Sequence, residues 1–199
     1  MAQSLHGIFL PKRFFVTSGC ATSSTSPLNA FDAALRKAKV AQCNLVGVSS
    51  ILPPDAERLD NCEITPGAVT FCVLTRMDGE PGETIGAGIG WAWGVTPEGQ
   101  KYGLVAEAHG YKDREAIDIE LKSKLQEMAK IRQLQITSIE TKPECIEVPK
   151  GRYGSAIVAL IYVPWELIDT QRRPNGDQEY QKTVTKEYLN LNHKTVVTS

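Results

Sequence analysis

The chain has 199 residues, enough for one domain whose core needs no disulfides, and its 22 Lys plus Arg against 23 Asp plus Glu leave neither a basic footprint for nucleic acid nor a polybasic membrane anchor. Its five cysteines (Cys20, Cys43, Cys62, Cys72, Cys145) are scattered without a C-x-x-C pair, which argues against a disulfide scaffold and against a zinc or other metal site, and favours a reducing cytoplasm. Met1 to His6 lacks the basic and apolar regions of a signal peptide, and no apolar run approaches the roughly 20 residues that span a bilayer, so a soluble, unexported protein with a small-molecule partner is expected.

In chain order, Ile8-Phe9-Leu10 and Phe14-Phe15-Val16 read as two short extended pieces joined by Pro11-Lys12-Arg13, and the Ser/Thr-rich stretch from Gly19 to Ser26 as a loop. Ser26-Pro27 is a helix start: a capping hydroxyl precedes a proline whose missing N–H costs nothing at the first helical position. The helix is expected to run to about Ala38, burying Leu28, Phe31, Leu35 and Ala38. Asp32 then lies about 60° from Leu35, at the edge of that stripe. Periodicity alone favours a surface pair between Asp32 and Arg36, one turn on, worth about 0.2 to 0.5 kcal/mol.

Asn44 to Pro54 contains an apolar run, Leu45, Val46, Val48, Ile51 and Leu52, of the kind a buried strand shows, ended by Pro53-Pro54. Ser49 and Ser50 therefore stand at a strand end, where such pairs ordinarily cap a turn. Beyond the polar stretch from Asp55 to Pro66, Val69 to Met77 and Thr84 to Trp93 alternate as two strands around the turn residues Asp78 to Gly82, and they are expected to pair. The glycines Gly86, Gly88 and Gly90 fall inside an alternating strand, not between a strand and a helix, which argues against a nucleotide fingerprint and for close approach of another backbone.

A strand from Lys101 to about Gly110 turns Tyr102, Leu104, Ala106 and Ala108 one way and Val105, Glu107 and His109 the other, so Glu107 is one acid in the middle of a weakly polar strand; a half-exposed sheet would explain it as well as a chemical role. Asp113 to Arg132 is the longest helix, with Ile117, Leu121, Leu125 and Met128 inward. Ile136 to Thr141 and Tyr153 to Val163 complete the sheet, the latter apolar enough to be covered on both faces, and the polar stretch after Thr170 reads as a mobile tail. Composition and pattern alone give a mixed α/β domain. His6, His109 and His193 form no recognisable catalytic elbow or metal motif.

Pro27-Leu28-Asn29-Ala30-Phe31-Asp32, Asn44-Leu45, Val48-Ser49-Ser50-Ile51-Leu52-Pro53-Pro54, Pro81-Gly82-Glu83-Thr84 and Gly103-Leu104-Val105-Ala106-Glu107, in this order and spacing, resemble the pyruvoyl-dependent arginine decarboxylases from about Pro27 to Val163. The resemblance implies a mixed-sheet αββα sandwich, assembled as a trimer or dimer of trimers with each site between subunits; residues 1–165 are read as the single decarboxylase domain and 166–199, beyond the resemblance, as a polar tail. The resemblance also implies autocatalytic serinolysis between Ser49 and Ser50, giving a small chain, 1–49, and a large chain that begins at a covalent pyruvoyl group made from Ser50. Such a group condenses with an α-amine and offers an adjacent carbonyl as electron sink, the role pyridoxal phosphate fills elsewhere.

By the same resemblance, Asn44 takes part in processing, Glu107 protonates the product carbanion, and Asp32 receives the substrate guanidinium, so that L-arginine becomes agmatine and carbon dioxide. Two other readings stay open: a pyruvoyl decarboxylase of another amino acid, and an uncleaved, non-enzymatic oligomeric binding protein.

Overall fold

In the computed structural model, which describes residues 9–163, the first strand, β1 (Arg13–Ser23), takes in Gly19 to Ser23 of the Ser/Thr-rich stretch expected to be a loop, and only Ser24 to Ser26 stay outside regular structure. The strand pairs antiparallel with β9 (Tyr153–Val163), from Arg13 against Val163 to Ser23 against Tyr153. Ladder bonds along a fully buried partner outweigh the weak strand propensity of Gly and Ser. Phe9 and Leu10, expected to be extended, precede the strand without joining a sheet; Ile8 lies outside the described residues.

Helix α1 (Pro27–Lys37) begins as its sequence dictates, with the Ser26 hydroxyl accepting the Asn29 N–H at 3.2 Å. Its buried face differs from the expected one. Ala38 is buried as expected, but Ala30 and Ala34 are the other inward residues, whereas Leu28 is 69% exposed and Phe31 and Leu35 are only partly covered. The reason is a close approach: a Cβ at Gly19 of β1 would stand 2.2 Å from the Ala34 carbonyl oxygen. The helix rests on the strand backbone, which turns its small residues inward.

The run from Leu45 to Leu52 is not one buried strand. It divides into β2 (Asn44–Gly47) and β3 (Ile51–Leu52), and the two belong to different sheets. β2 runs parallel to β5 (Val69–Gly79), while β3 runs antiparallel to β7 (Lys101–Gly110). The polar stretch that follows is not wholly irregular, since β4 (Glu57–Leu59) pairs in parallel with β1.

The expected pairing of the strands on either side of Asp78 to Gly82 also does not occur. β5 bonds to β2 and β9, whereas β6 (Thr84–Val95) bonds to β7 and to β8 (Gln135–Glu147), so the chain turns a corner from one sheet to the other. The corner is held by Val148, whose carbonyl accepts from Gly82 N and whose N–H donates to Glu83 O, both at 2.8 Å. Gly82 has φ +90, which suits glycine.

The sheets are therefore ordered β2-β5-β9-β1-β4, mixed, and β3-β7-β6-β8, antiparallel. Phe14, Ile85, Ile89, Val105, Val158 and Leu160 fill the core between them. α1 covers the outer face of the first sheet, and α2 (Arg114–Ile131) that of the second, through Ile117, Leu121, Leu125 and Ala129. The expected inward Met128 is only partly buried. Close approach does explain the glycines of β6: a Cβ at Gly88 would meet Ile117 at 2.4 Å, and one at Gly86 the Lys112 carbonyl at 2.6 Å. The layers run helix, sheet, sheet, helix, as the αββα expectation has it. No helix among the described residues is long and apolar enough to cross a membrane. The stretch expected to be a mobile tail lies outside the described residues.

Candidate active site

Because β2 and β3 belong to different sheets, Val48, Ser49 and Ser50 form the crossing between them. Four hydrogen bonds tie this short crossing down. The Val48 N–H donates to Cys72 O at 2.9 Å, and the Ile51 N–H donates to Ser49 O at 3.2 Å. The second of these closes a three-residue γ-turn centred on Ser50. Val105 N–H donates to Ser50 O at 2.9 Å, and the Tyr162 hydroxyl donates to Ile51 O at 2.9 Å. Neither serine hydroxyl has a hydrogen bond among the described residues, so the side chain of Ser50 keeps its rotational freedom while the backbone on both sides of it is held.

Beside the crossing lies a largely apolar cavity of about 570 Å³, bordered by Val48, Ser49, Ile51, Phe71, Tyr102 and Tyr162. Tyr162 is 4% exposed, and burial pushes its phenol up to about 12, so it remains a donor throughout the neutral range. Its place at the end of a buried apolar strand was visible in the sequence, where a buried phenol demands an acceptor. The Val105 N–H left no such signal, since every residue but proline has one.

Glu107 follows Val105 by two positions on β7, on the same face and about 6.8 Å along the strand. It opposes Ile89, a member of the core between the sheets, which puts it on the face of β7 turned toward the other sheet, though it does not line the cavity at Ser49. Thr75 of β5 donates to Ala108 O at 3.2 Å and ties the two sheets together beside it. Glu107 is open to solvent on one side. Partial burial nonetheless raises its carboxyl above the ordinary range, with His109 and Lys124 opposing the shift. The thiol of Cys72, 1% exposed, is pushed up to about 11 by burial and by the neighbouring charges of Cys43 and Glu107. Cys72 thus feels the charge of Glu107 while its carbonyl accepts from Val48, two residues before Ser50.

Neither of the other two sequence candidates lines the cavity at Ser49. Asn44 begins β2, with its side-chain amide donating to Gly67 O at 3.0 Å and its N–H to Ala68 O at 2.8 Å. It stands five residues before Ser49, at the far end of β2. Asp32 is exposed on α1 beside a separate depression of about 510 Å³ that also borders Arg36, Lys39 and Gln42 and shares no residue with the cavity at Ser49. The surface pair of Asp32 with Arg36 is not among the ion pairs of the described residues.

Fold and site together define a four-layer α/β sandwich that holds a Ser-Ser peptide at the crossing between its sheets, with an acid of raised proton affinity two positions along β7 from the residue that bonds Ser50 O. Residues 13–167 match the family model described as pyruvoyl-dependent arginine decarboxylase, and the chain belongs to that family. A pyruvoyl-dependent arginine decarboxylase of Methanopyrus kandleri is 31% identical over 156 residues, covering 77% of this chain and 97% of that protein. Pyruvoyl-dependent arginine decarboxylase 1 of Archaeoglobus fulgidus is 40% identical over 107 residues (51% of this chain, 66% of that one), and its namesake in Methanosarcina mazei 39% over 109 residues (52% and 64%). The chain spans 64% of the length of this Methanosarcina relative.

The cofactor that the family's name implies is a covalent pyruvoyl group. The residues at the crossing fit it: a serine with an unheld hydroxyl, a carbonyl on each side already accepting a backbone N–H, and, bordered by the preceding Ser49, a cavity within the volume range of small-molecule sites.

Proposed function

We propose that this chain cleaves itself between Ser49 and Ser50 and, with a pyruvoyl group at residue 50, decarboxylates L-arginine to agmatine and carbon dioxide. The observation that carries this reading is the γ-turn at Ser50. The Ile51 N–H polarises the Ser49 carbonyl that the Ser50 hydroxyl must attack, and a donor already aimed at that oxygen stabilises the charge it acquires.

Once formed, the pyruvoyl group supplies a ketone that combines with the substrate's α-amine and a carbonyl that accepts the electrons freed with carbon dioxide. Glu107 returns a proton to the former α-carbon. A carboxyl whose pKa is raised by burial keeps more of its acid form near neutrality than an ordinary glutamate, which suits a donor. Phe71, Tyr102 and Tyr162 line a wall against which the methylenes of the substrate lie.

Asp32 takes the guanidinium through two parallel hydrogen bonds, a match that an ammonium cannot make. It does so across a subunit boundary, in a trimer or dimer of trimers with its sites between neighbours, and Asn44 assists processing from the same boundary. Two observations support this assembly. Asp32 borders a depression that shares no residue with the cavity at Ser49 while the Asn44 amide is held by Gly67 O, and the chain on either side of Ser50 exposes Val46, Val48 and Ile51. The five free thiols suit a reducing compartment, in keeping with a cytoplasmic enzyme.

An intact-mass measurement on purified protein, followed by a substrate screen, tests the proposal. The expected result is two chains, 1–49 and 50–199, the second with a blocked amino terminus, and turnover of arginine in preference to lysine, ornithine and aspartate. A single chain after prolonged incubation would favour the binding-protein reading, and faster turnover of a non-guanidino amino acid would overturn the substrate.

A further inference from the structure

Two carbonyls flank the Ser50 α-carbon, and each is held by a different backbone donor: Ser49 O by the Ile51 N–H and Ser50 O by the Val105 N–H. Self-cleavage, on which this inference rests, has two chemically distinct halves that load these two oxygens in turn. In the first, the Ser50 hydroxyl adds to the Ser49 carbonyl and the peptide C–N bond breaks, leaving an ester and a free amine; charge develops on Ser49 O. In the second, a base such as water or a carboxylate removes the α-proton of Ser50. The C–H electron pair moves onto the Ser50 carbonyl oxygen, then returns to form the Cα=Cβ bond as Cβ–Oγ breaks. Ser49 departs as a carboxylate, and residue 50 becomes dehydroalanine, which takes up water and releases ammonia. Charge in this half develops on Ser50 O.

We propose that the Val105 N–H is the donor that stabilises negative charge on the Ser50 carbonyl oxygen, first during the elimination that completes maturation and again when the same oxygen accepts electrons in turnover. The position of the bond supports a role beyond holding the strand. Ser50 lies outside β3, whose alignment on β7 is already set by Ile51 against Leu104 and Leu52 against Gly103, and the Tyr162 hydroxyl anchors Ile51 independently. The bond to Ser50 O therefore extends the ladder by one position, onto the one carbonyl conjugated to the reacting α-carbon. A preoriented donor at such a site acts without reorganisation at the moment charge appears.

The test replaces the Val105 amide nitrogen by oxygen, using its α-hydroxy analogue, which removes the donor and keeps the side chain. The matching replacement at Gly103 weakens the same β3–β7 pairing without touching Ser50 O. Cleavage is followed with hydroxylamine, which traps the ester as a 1–49 hydroxamate and a 50–199 chain with a free amino-terminal serine. The expected result for the Val105 analogue is normal ester formation with elimination slowed roughly 100-fold, so that trappable ester accumulates, while the Gly103 analogue eliminates at nearly the native rate.

Equal slowing in both analogues, or native elimination in the Val105 analogue, would overturn the inference. Amide exchange of Val105 provides a second measurement on unaltered backbone. Protection is expected both in the uncleaved Ser50→Ala chain and in the matured native protein, and loss of protection in either would also overturn it. A native chain that never splits would instead overturn the proposed function itself, so the two failures are distinguishable.

Discussion

The two ends of the candidate site are built by different means. Ser49, Ser50 and Glu107 are positioned by strand register within one chain: the crossing is bonded to Cys72, Val105 and Tyr162, and Glu107 follows Val105 by two positions on the same strand face. Asp32 sits on an outer helix beside a separate depression, and Asn44 opens an edge strand. Bond-making tolerates little misplacement, and a hydrogen-bonded backbone supplies that precision. Recognition of a planar, permanently charged side chain needs only a carboxylate at the correct distance, which a neighbouring subunit can offer.

The sharpest way to break the contrast is to remove the Ser50 oxygen. Ser50→Ala is expected to abolish cleavage and decarboxylation together, read by intact mass and by carbon dioxide release, because both require that atom. Glu107→Gln is next: the protein folds, and turnover measured on cleaved material falls about 10²–10⁴-fold, the range for a lost general acid. Near-normal turnover in such a sample would remove Glu107 from the chemistry.

Asp32→Asn is expected to keep cleavage while raising the KM for arginine roughly 10- to 100-fold, the worth of hydrogen bonds to a charged group. Its decisive form is a mixing experiment. Refolding Ser50→Ala chains together with Asp32→Asn chains should restore about a quarter of the sites if each site draws on two subunits, and none if Asp32 serves its own chain. The smallest effect concerns stability. Since burial raises the pKa of Glu107, the folded chain binds this proton more tightly than the unfolded one, and the stabilisation is present at low pH and lost as pH rises through the raised value. Glu107→Gln should therefore melt slightly higher than the parent at neutral pH, with the difference vanishing below about pH 4.

Local signals were legible where local physics decides them. The bounds of β9 and the capped start of α1 follow from an apolar run and from Ser26-Pro27, and both agree with the structure. The buried face of α1 was legible at Ala38 and not elsewhere, because larger side chains at Leu28, Phe31 and Leu35 suggest a stripe, whereas the helix backbone at Ala34 rests against Gly19 and turns the small residues Ala30 and Ala34 inward. The corner at Asp78 to Gly82 was misread as a hairpin because Gly and Pro serve both kinds of turn, and the choice is made by Val148, more than 60 residues further on.

By itself, the sequence determined the secondary elements with strong periodicity, the mixed α/β class, the motif that carries the family resemblance, and the residue types available for chemistry: a serine pair, one acid within a strand, and one acid on a helix. Periodicity is a property of a few neighbouring residues, so a few residues suffice to reveal it. Only the tertiary structure decided that the apolar run around Ser49 changes sheets, that Val105 and Tyr162 hold the carbonyls on its far side, and that Asp32 borders a depression separate from the cavity at Ser49. Strand partners are chosen by the burial and hydrogen bonding of the whole assembled sheet, and a backbone N–H carries no mark in the sequence until its partner is in place.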